Sequence, residues 1–268
     1  MMRIDEPANF RPAAPEAQVL DFVRSNGDQL KIRLVGGHPL WGHVLYPAAM
    51  LMSKYLEQNA ETLLKSVPGA GTTRGKFVLE LGAGAGLPGL TSAFEGAELV
   101  VTTDFPDADL IDNLKHNADV NLPSQIRDRM IVDGYTWGAN PAHILSHLPI
   151  LDACGAQTPS NTVSPLFDLI LLSDLVFNHS QHEALISTCE RFLRPRSNPE
   201  SPTPCLLVFF SHHRPKFMKE DNGLIELAQT RGWTCKKVVE DKNAGLAFPE
   251  DEGDPTIRGT VHGWMLTR

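Results

Sequence analysis

The sequence Phe77-Val78-Leu79-Glu80-Leu81-Gly82-Ala83-Gly84-Ala85-Gly86-Leu87-Pro88-Gly89 guides the interpretation of the rest of the chain. An apolar run ends at Glu80 and Leu81, and a glycine-rich turn follows directly. Glycine permits a tight turn and lets a ligand approach the main chain closely. Residues 87–95 suit the start of a helix, whose N-terminus attracts negative charge. The pattern therefore predicts a buried strand that leads into a ligand-binding turn.

Two classes of ligand use such a turn. Gly84, Gly86 and Gly89 match the Gly-x-Gly-x-x-Gly spacing of dinucleotide-binding folds. Glu80, however, would repel a pyrophosphate and attract a cation, such as the ammonium of an amino-acid moiety next to a sulfonium. Acid-x-Gly-x-Gly-x-Gly resembles the first motif of S-adenosylmethionine-dependent methyltransferases. We favour that cofactor, with a nicotinamide or flavin enzyme and a purely structural turn as the alternatives.

The composition of the 268-residue chain is that of a globular protein with a full core, with 42% hydrophobic and 21% charged residues. No apolar run approaches the roughly 20 residues that span a bilayer. The four cysteines form no Cys-x-x-Cys pair, which favours reduced thiols. A net charge of −8 disfavours a nucleic-acid partner. We expect a cytoplasmic monomer without a membrane partner.

Strand-like and helix-like segments alternate after residue 76, which predicts an α/β fold with a mostly parallel sheet and helices on both faces. The strand-like segments are Phe77–Leu81, Glu98–Asp104, Met130–Trp137, Leu166–Asp174, Cys205–Ser211, Cys235–Asp241 and Thr260–Thr267. The last two have no helix between them, so they predict an antiparallel hairpin at one edge. This seven-stranded plan is similar to the Rossmann-like fold of class I methyltransferases.

Two further segments precede these strands. Residues 30–35 suit a strand and residues 44–61 a helix, and we expect residues 30–76 to cap a core of residues 77–268. Residues 30–268 would then form one domain. Residues 1–29 lack the apolar core of a signal peptide and are expected to be a flexible arm that leads into the extension.

Three residues at strand ends or in a glycine-rich loop suit a nucleoside ligand. Asp104 ends the second strand, where an acid can accept the hydroxyls of a ribose, although it could instead be a helix N-cap. Trp137, at the end of the third strand, could cover an adenine or belong to the core. Trp41 could close over the cofactor or plug the space beneath the N-terminal helix.

The sequence Ser-Asp-Leu-Val-Phe-Asn-His at residues 173–179 follows the fourth strand. Ligands of open α/β sheets bind beyond the carboxyl ends of the strands near the switch point, so Ser173 and Asp174 should face the site. Asp174 could hold an incoming ammonium, and Phe177 could present its ring to it or pack beneath a helix. Base-modifying amino-methyltransferases carry an Asp-Pro-Pro-Tyr type clamp here, and its absence disfavours a nucleobase acceptor.

Histidines are frequent near these strand ends. His179 and His182 are three residues apart, and His212 and His213 follow the fifth strand. A metal site would need further ligands in a defined geometry. We expect polar loop histidines and no metal ion.

Six motifs, taken together, resemble the fungal elongation factor methyltransferase 7 family, also known as nicotinamide N-methyltransferase-like, within the seven-strand protein lysine methyltransferases. They lie at residues 39–43, 80–89, 102–106, 136–138, 173–179 and 210–215, and the resemblance covers about residues 30–268. It implies methylation of translation elongation factor 1-alpha at the N-terminal α-amine and the adjacent lysine.

The resemblance also implies contacts with S-adenosyl-L-methionine. The residues concerned are Trp41, Gly82, Ala83, Gly84, Asp104, Trp137 and Ser173. Related lysine enzymes have Asp-x-x-Tyr where this chain has Asp174 and Phe177, so any role for that tyrosine hydroxyl is lost. Two alternatives share the same core: a small-molecule N-methyltransferase acting on nicotinamide-like amines, and a cofactor-binding scaffold without catalysis.

Overall fold

The computed structural model describes residues 16–39, 42–65, 75–149, 166–196 and 203–268. Its strands are β1 Gln18–Val23, β2 Gln29–Leu34, β3 Phe77–Leu81, β4 Leu99–Asp104, β5 Met130–Gly134, β6 Leu169–Ser173, β7 Cys205–Ser211, β8 Thr234–Asp241 and β9 Val261–Thr267. Its α-helices are α1 Pro47–Gln58, α2 Ala60–Leu63, α3 Leu87–Phe94, α4 Ala108–Asn121, α5 Ser124–Arg127, α6 Ala142–Leu145, α7 His182–Phe192, α8 Met218–Thr230 and α9 Pro255–Arg258.

Seven strands form the central sheet in the order β5-β4-β3-β6-β7-β9-β8. The first five strands in this order pair in parallel, whereas β9 is antiparallel to both β7 and β8. The predicted fold class and the antiparallel hairpin at one edge are therefore confirmed. The hairpin is folded back, so that the last strand lies inside the sheet and β8 forms the edge. The switch point lies between β3 and β6: β4 and β5 lie beyond β3 on one side of it, and β7 lies beyond β6 on the other.

The two faces of the sheet carry separate cores. Along β3, Val78 packs on one face, and Phe77, Leu79 and Leu81 pack on the other. The first face is covered by α1, α3 and α4, and the second by α6, α7 and α8. Because parallel strands with helices on both sides are buried throughout, β3 is apolar at every position except Glu80. That exception matters for the site.

The N-terminal extension packs against the first face. Strand β1, which lies within the segment expected to be a flexible arm, pairs antiparallel with β2 and buries Phe22 in the same core as α1 and α3. This strand was not predicted from the sequence, since its other side chains are exposed. The free edge of β2 binds a ladder of asparagines on α4 rather than a third strand.

Some element bounds differ from the predicted ones. The third strand of the sheet along the chain, β5, ends at Gly134 rather than Trp137, and the bond from the Tyr135 amide to the Asp104 carbonyl at 2.8 Å is the last one of its pairing with β4. The predicted helix at residues 44–61 begins only at Pro47 and is broken at Asn59, whose side chain donates to the Tyr55 carbonyl. In the described ranges, no helix is both long and apolar enough to cross a bilayer.

Candidate active site

The glycine turn after β3 requires glycine for two reasons. Gly82, Gly84 and Gly86 have φ values of 60°, 56° and 76°, a region that other residues rarely adopt. A Cβ atom on Gly82 would also lie 2.7 Å from Leu175 and 3.1 Å from Trp137. A Cβ atom on Gly84 would meet nothing within 4 Å. The turn is thus closely packed against neighbouring side chains at Gly82, whereas the space beside Gly84 is open.

Glu80 lies beneath this turn and is fully buried. Its Oε2 accepts a hydrogen bond from the Gly89 amide at 3.1 Å, in the first turn of α3, and a Cβ on Gly89 would come within 2.5 Å of that oxygen. Burial raises the pKa of Glu80 to about 8, against the opposing effects of Thr102 and the Gly89 amide. Its carboxyl does not line the cavity described next, which differs from the expected direct attraction of a cationic ligand.

A cavity of about 990 Å³ opens beside the turn. It lies between the carboxyl ends of β3 to β6 and the segment that precedes α1. Of the predicted site residues, it is lined by Gly82, Ala83, Gly84, Asp104, Trp137, Ser173, Asp174 and Phe177. The fold thus brings eight of the ten predicted positions to one cavity, at the top of the usual size range for ligand sites.

Asp104 connects the end of β4 to the turn. Its Oδ2 accepts from the Gly84 amide and its Oδ1 from the Phe105 amide, both at 2.7 Å, and burial raises its pKa. The N-cap of α4 is Asp107, which accepts from the Asp109 amide at 3.0 Å. The alternative of Asp104 as a helix cap is therefore wrong, and its carboxylate is held against the ligand-binding turn.

Two residues beside the turn are suited to contact a ligand that has both a nucleoside part and an amino-acid part. Trp137 is partly buried, with its indole against Gly82 and one part of it facing the cavity. Ser173 Oγ is buried and has no hydrogen-bond partner within the described part of the chain. A buried hydroxyl without a partner is costly unless a ligand satisfies it. The Ala83 amide is already engaged by the Thr103 carbonyl at 3.0 Å.

Asp174 is the first residue after β6, and it lines the cavity there. Across the described ranges it is the single non-glycine residue with positive φ, at 60°, and it is 3% exposed. Its Oδ1 accepts from the Ser211 amide at 3.3 Å, and its Oδ2 lies 2.6 Å from His213 Nε2. Phe177 is partly buried and lines the same cavity. A buried carboxylate that is held by two partners on a residue with positive φ is typical of a functional site.

Some residues near the cavity were not predicted from the sequence, and one predicted residue cannot be placed. Tyr46, directly before α1, lines the cavity, and burial together with the Asp174 charge raises its pKa. His38 lines it too, 3.6 Å from Asp107. No sequence signal marked either, because both belong to the irregular segment between β2 and α1. Trp41 lies outside the described residues.

The histidines near the strand ends bind protein groups. His179 Nε2 and His212 Nδ1 lie 2.7 and 2.8 Å from the two oxygens of buried Asp221, and His182 Nε2 lies 2.7 Å from the Val176 carbonyl. Within the residues that the structure covers, no group of three or more His, Cys, Asp or Glu side chains is arranged to hold a metal ion.

Solved structures share this fold at low sequence identity. A Streptococcus mutans protein assigned as a SAM-dependent methyltransferase superposes with a TM-score of 0.54 at 11% identity, covering 96% of this chain and 57% of that one. A Klebsiella pneumoniae protein assigned as an O-methyltransferase gives 0.51 at 12% identity, covering 86% and 90%. These similarities concern the fold, which is that of the class I, Rossmann-like methyltransferases.

Closer similarity comes from fungal proteins and from a family model. The model described as "Lysine methyltransferase" matches residues 24–219. The Schizosaccharomyces pombe protein N-terminal and lysine N-methyltransferase efm7 is 39% identical over 98% of this chain and 93% of its own length. The EFM7 protein of Cryptococcus neoformans is 41% identical over 98% and 83%. The chain belongs to the lysine methyltransferase family and, within it, to the group of fungal protein N-terminal and lysine N-methyltransferases named EFM7.

Proposed function

We propose that this enzyme methylates the N-terminal α-amine and the adjacent lysine of translation elongation factor 1-alpha, using S-adenosyl-L-methionine. The observation that carries the proposal is the single cavity that joins the glycine turn, Asp104 and Ser173 to Asp174 and Phe177. The names of the fungal relatives support an amine of a protein as the acceptor. The choice of elongation factor follows from the family resemblance.

The cofactor would be held by the main chain of residues 82–84, by Asp104 at its ribose, by Trp137 at its adenine and by the Ser173 hydroxyl. Trp41 would close over it, and Glu80 would act indirectly through the Gly89 amide. When bound, the cofactor supplies a methyl group on a sulfonium. The residues contribute mainly by positioning, which can account for a large part of a rate enhancement.

The acceptor amine must be neutral when it reacts. A terminal α-amine titrates near 7.7–8.0 and a lysine near 10.4, so the α-amine needs little help at neutral pH and the lysine needs desolvation. Phe177, Tyr46 and Leu45 supply an apolar lining on this side of the cavity. Asp174 favours the charged amine, so we assign it to holding the ammonium before the proton leaves to solvent. It is not assigned as the base.

Asp174→Asn tests that role. Asparagine tolerates positive φ, so the backbone should keep its conformation. Losing a charged partner should raise the KM for the protein substrate about tenfold or more. The dissociation constant of the cofactor, measured by calorimetry, should change by less than about twofold. Wild-type turnover of the protein substrate in this variant would remove Asp174 from the acceptor site.

The acceptor is identified by transfer of label from the cofactor into a lysate of cells that lack the endogenous enzyme. Mass spectrometry should place the methyl groups on the first residue and the adjacent lysine of translation elongation factor 1-alpha. Label on nucleic acid or free metabolites alone would contradict a protein substrate. Saturable turnover of nicotinamide would favour the small-molecule alternative, and failure to bind the cofactor would favour a scaffold.

The remaining proposals concern the protein as a whole. We infer that residues 30–268 work as one domain to which β1 also belongs, since it pairs with β2 and buries Phe22 in the same core. We also infer that the enzyme is a cytoplasmic monomer and that nucleic acid is not its partner. The acidic balance of the chain supports a basic protein substrate over nucleic acid. Sedimentation of the purified protein tests the monomer, and microscopy of a tagged copy tests the location.

A further inference from the structure

His213 contacts the acceptor carboxylate without belonging to the cavity wall. Its Nε2 lies 2.6 Å from Asp174 Oδ2, and its side chain is 12% exposed. It is not among the described residues that line the cavity, whereas Asp174 is. The only polar contact of the imidazole with a described residue of the cavity wall is therefore the carboxylate that it binds.

The surroundings of His213 fix its ring. The rings of Tyr46 and Phe248 both lie 5.6 Å from it, and the Arg258 guanidinium donates to its carbonyl at 3.1 Å. The neighbouring His212 points to buried Asp221 instead. The two histidines that follow β7 thus each bind a different buried carboxylate.

We propose that His213 is the positioning residue of the acceptor site: it fixes the Asp174 carboxylate by a hydrogen bond and, when protonated, compensates its negative charge. Asp174 then holds an ammonium weakly while the pair is neutral and strongly once His213 has lost its proton. The inference rests on the proposed function, because it assumes that Asp174 receives the substrate ammonium.

The sign of the pH dependence follows from the charges that face the ring. Burial lowers the pKa of His213, and so does Arg258, but the charge and hydrogen bond of Asp174 together with the charge of Asp221 outweigh them, so the net direction is upward from 6.5. Tyr46 stays neutral, since its own pKa is raised. Substrate affinity should therefore increase as pH rises through a titration above about 6.5.

Glutamine and asparagine separate the two parts of the proposal. The amide nitrogen of glutamine can reach the position of Nε2 and donate a hydrogen bond without a charge, whereas the shorter asparagine cannot reach it. His213→Gln should retain affinity and lose its pH dependence, and should bind more tightly than the wild type near pH 6. His213→Asn should also lose the pH dependence, and without the hydrogen bond it should bind about tenfold more weakly than His213→Gln at every pH.

The probe is an N-terminally acetylated peptide of the proposed substrate with one lysine, whose charge is constant between about pH 6 and pH 9. Its dissociation constant is measured by calorimetry on enzyme saturated with S-adenosylhomocysteine, so no reaction occurs. His147→Gln and His147→Asn are the matched controls, since His147 Nε2 lies 2.7 Å from Asp133 away from the cavity. Both should follow the wild type.

Parallel pH curves for the wild type and His213→Gln would overturn the inference, and so would equal dissociation constants for His213→Asn and His213→Gln. The affinity of each variant for S-adenosylhomocysteine checks that it is folded. If His213→Asn does not fold, the pH series of His213→Gln tests the inference by itself. A wild-type enzyme that neither binds nor methylates the peptide would instead overturn the proposed function and this inference with it.

Discussion

Glu80 and Asp104 are carboxylates on neighbouring strands, yet their surroundings give them different chemistry. Glu80 pairs in register with Thr102 and is enclosed by the core beneath α3, so burial raises its pKa to about 8. Asp104 is bound by two amides and faces the cavity. At neutral pH Glu80 is therefore mostly protonated, and it supports the glycine turn through the Gly89 amide rather than by charge.

Replacing Glu80 by glutamine tests this difference. The unfolded carboxyl titrates near 4.5 and the folded one near 8, so the folded protein keeps a proton that the unfolded chain releases. The free energy of unfolding should fall as pH rises through this range, by up to about 1.4 kcal/mol per pH unit. Glu80→Gln removes that contribution. Urea unfolding at about pH 5.5, 6.5 and 7.5 should show a gap that grows with pH in favour of the variant, whereas a constant gap would contradict a raised pKa.

At the scale of elements, α4 couples the N-terminal extension to the cofactor turn. Asn117 is buried, and its amide group accepts from the Arg33 amide at 2.9 Å and donates to the carbonyls of Arg33 and Ala85 at 2.8 and 3.0 Å. One side chain thus bonds both β2 and the glycine turn. Asn121, one helical turn later, bonds Lys31 of β2 and the Asn117 carbonyl of its own helix, makes no bond to the turn, and is partly exposed.

Asn117→Ala should therefore cost more than Asn121→Ala. The first change removes the Asn117 side chain as the partner of the Arg33 amide and the buried Ala85 carbonyl, while the Arg33 carbonyl keeps its bond from Asn113. We expect a loss of about 2–4 kcal/mol in the free energy of unfolding, against about 1 kcal/mol for the second change. Asn117→Ala should also weaken cofactor binding, because the Ala85 carbonyl belongs to the turn. Denaturant titration measures the free energy of unfolding of both variants, and calorimetry measures their cofactor affinity. Equal losses of stability and of affinity in the two variants would refute the coupling.

The alternation of strands and helices was predictable because parallel strands buried on both faces are almost entirely apolar, as in β3, β6 and β7. The glycine turn and the strand-end acids also carried local signals. Strand β1 did not, since only Phe22 of it is buried as hydrophobic core. The contacts of Tyr46 and His213 with the acceptor side arise from packing between segments far apart in the chain, which no local pattern encodes.

At the scale of the whole molecule, the net charge of −8 adds to the local effect of Asp174. Asp107 and Asp109, which follow β4, also line the cavity. An acidic protein with acidic groups at its cavity should attract a substrate whose terminal amine and lysine are positive. This long-range attraction is screened by salt, over about 10 Å at 0.1 M ionic strength.

Ionic strength should therefore affect the KM for the protein substrate more than the KM for the cofactor. Raising salt from about 0.02 to 0.3 M should increase the KM for the protein substrate severalfold, mostly through a slower association rate. The KM for the cofactor should change less, because its two positive groups are partly offset by its carboxylate and leave a net charge of only about +1. Initial rates with each substrate varied in turn provide the measurement. An acetylated peptide without lysine is the matched control for binding, and salt should not affect its weaker affinity. A salt-independent KM for the protein would mean that shape and local contacts alone select the acceptor.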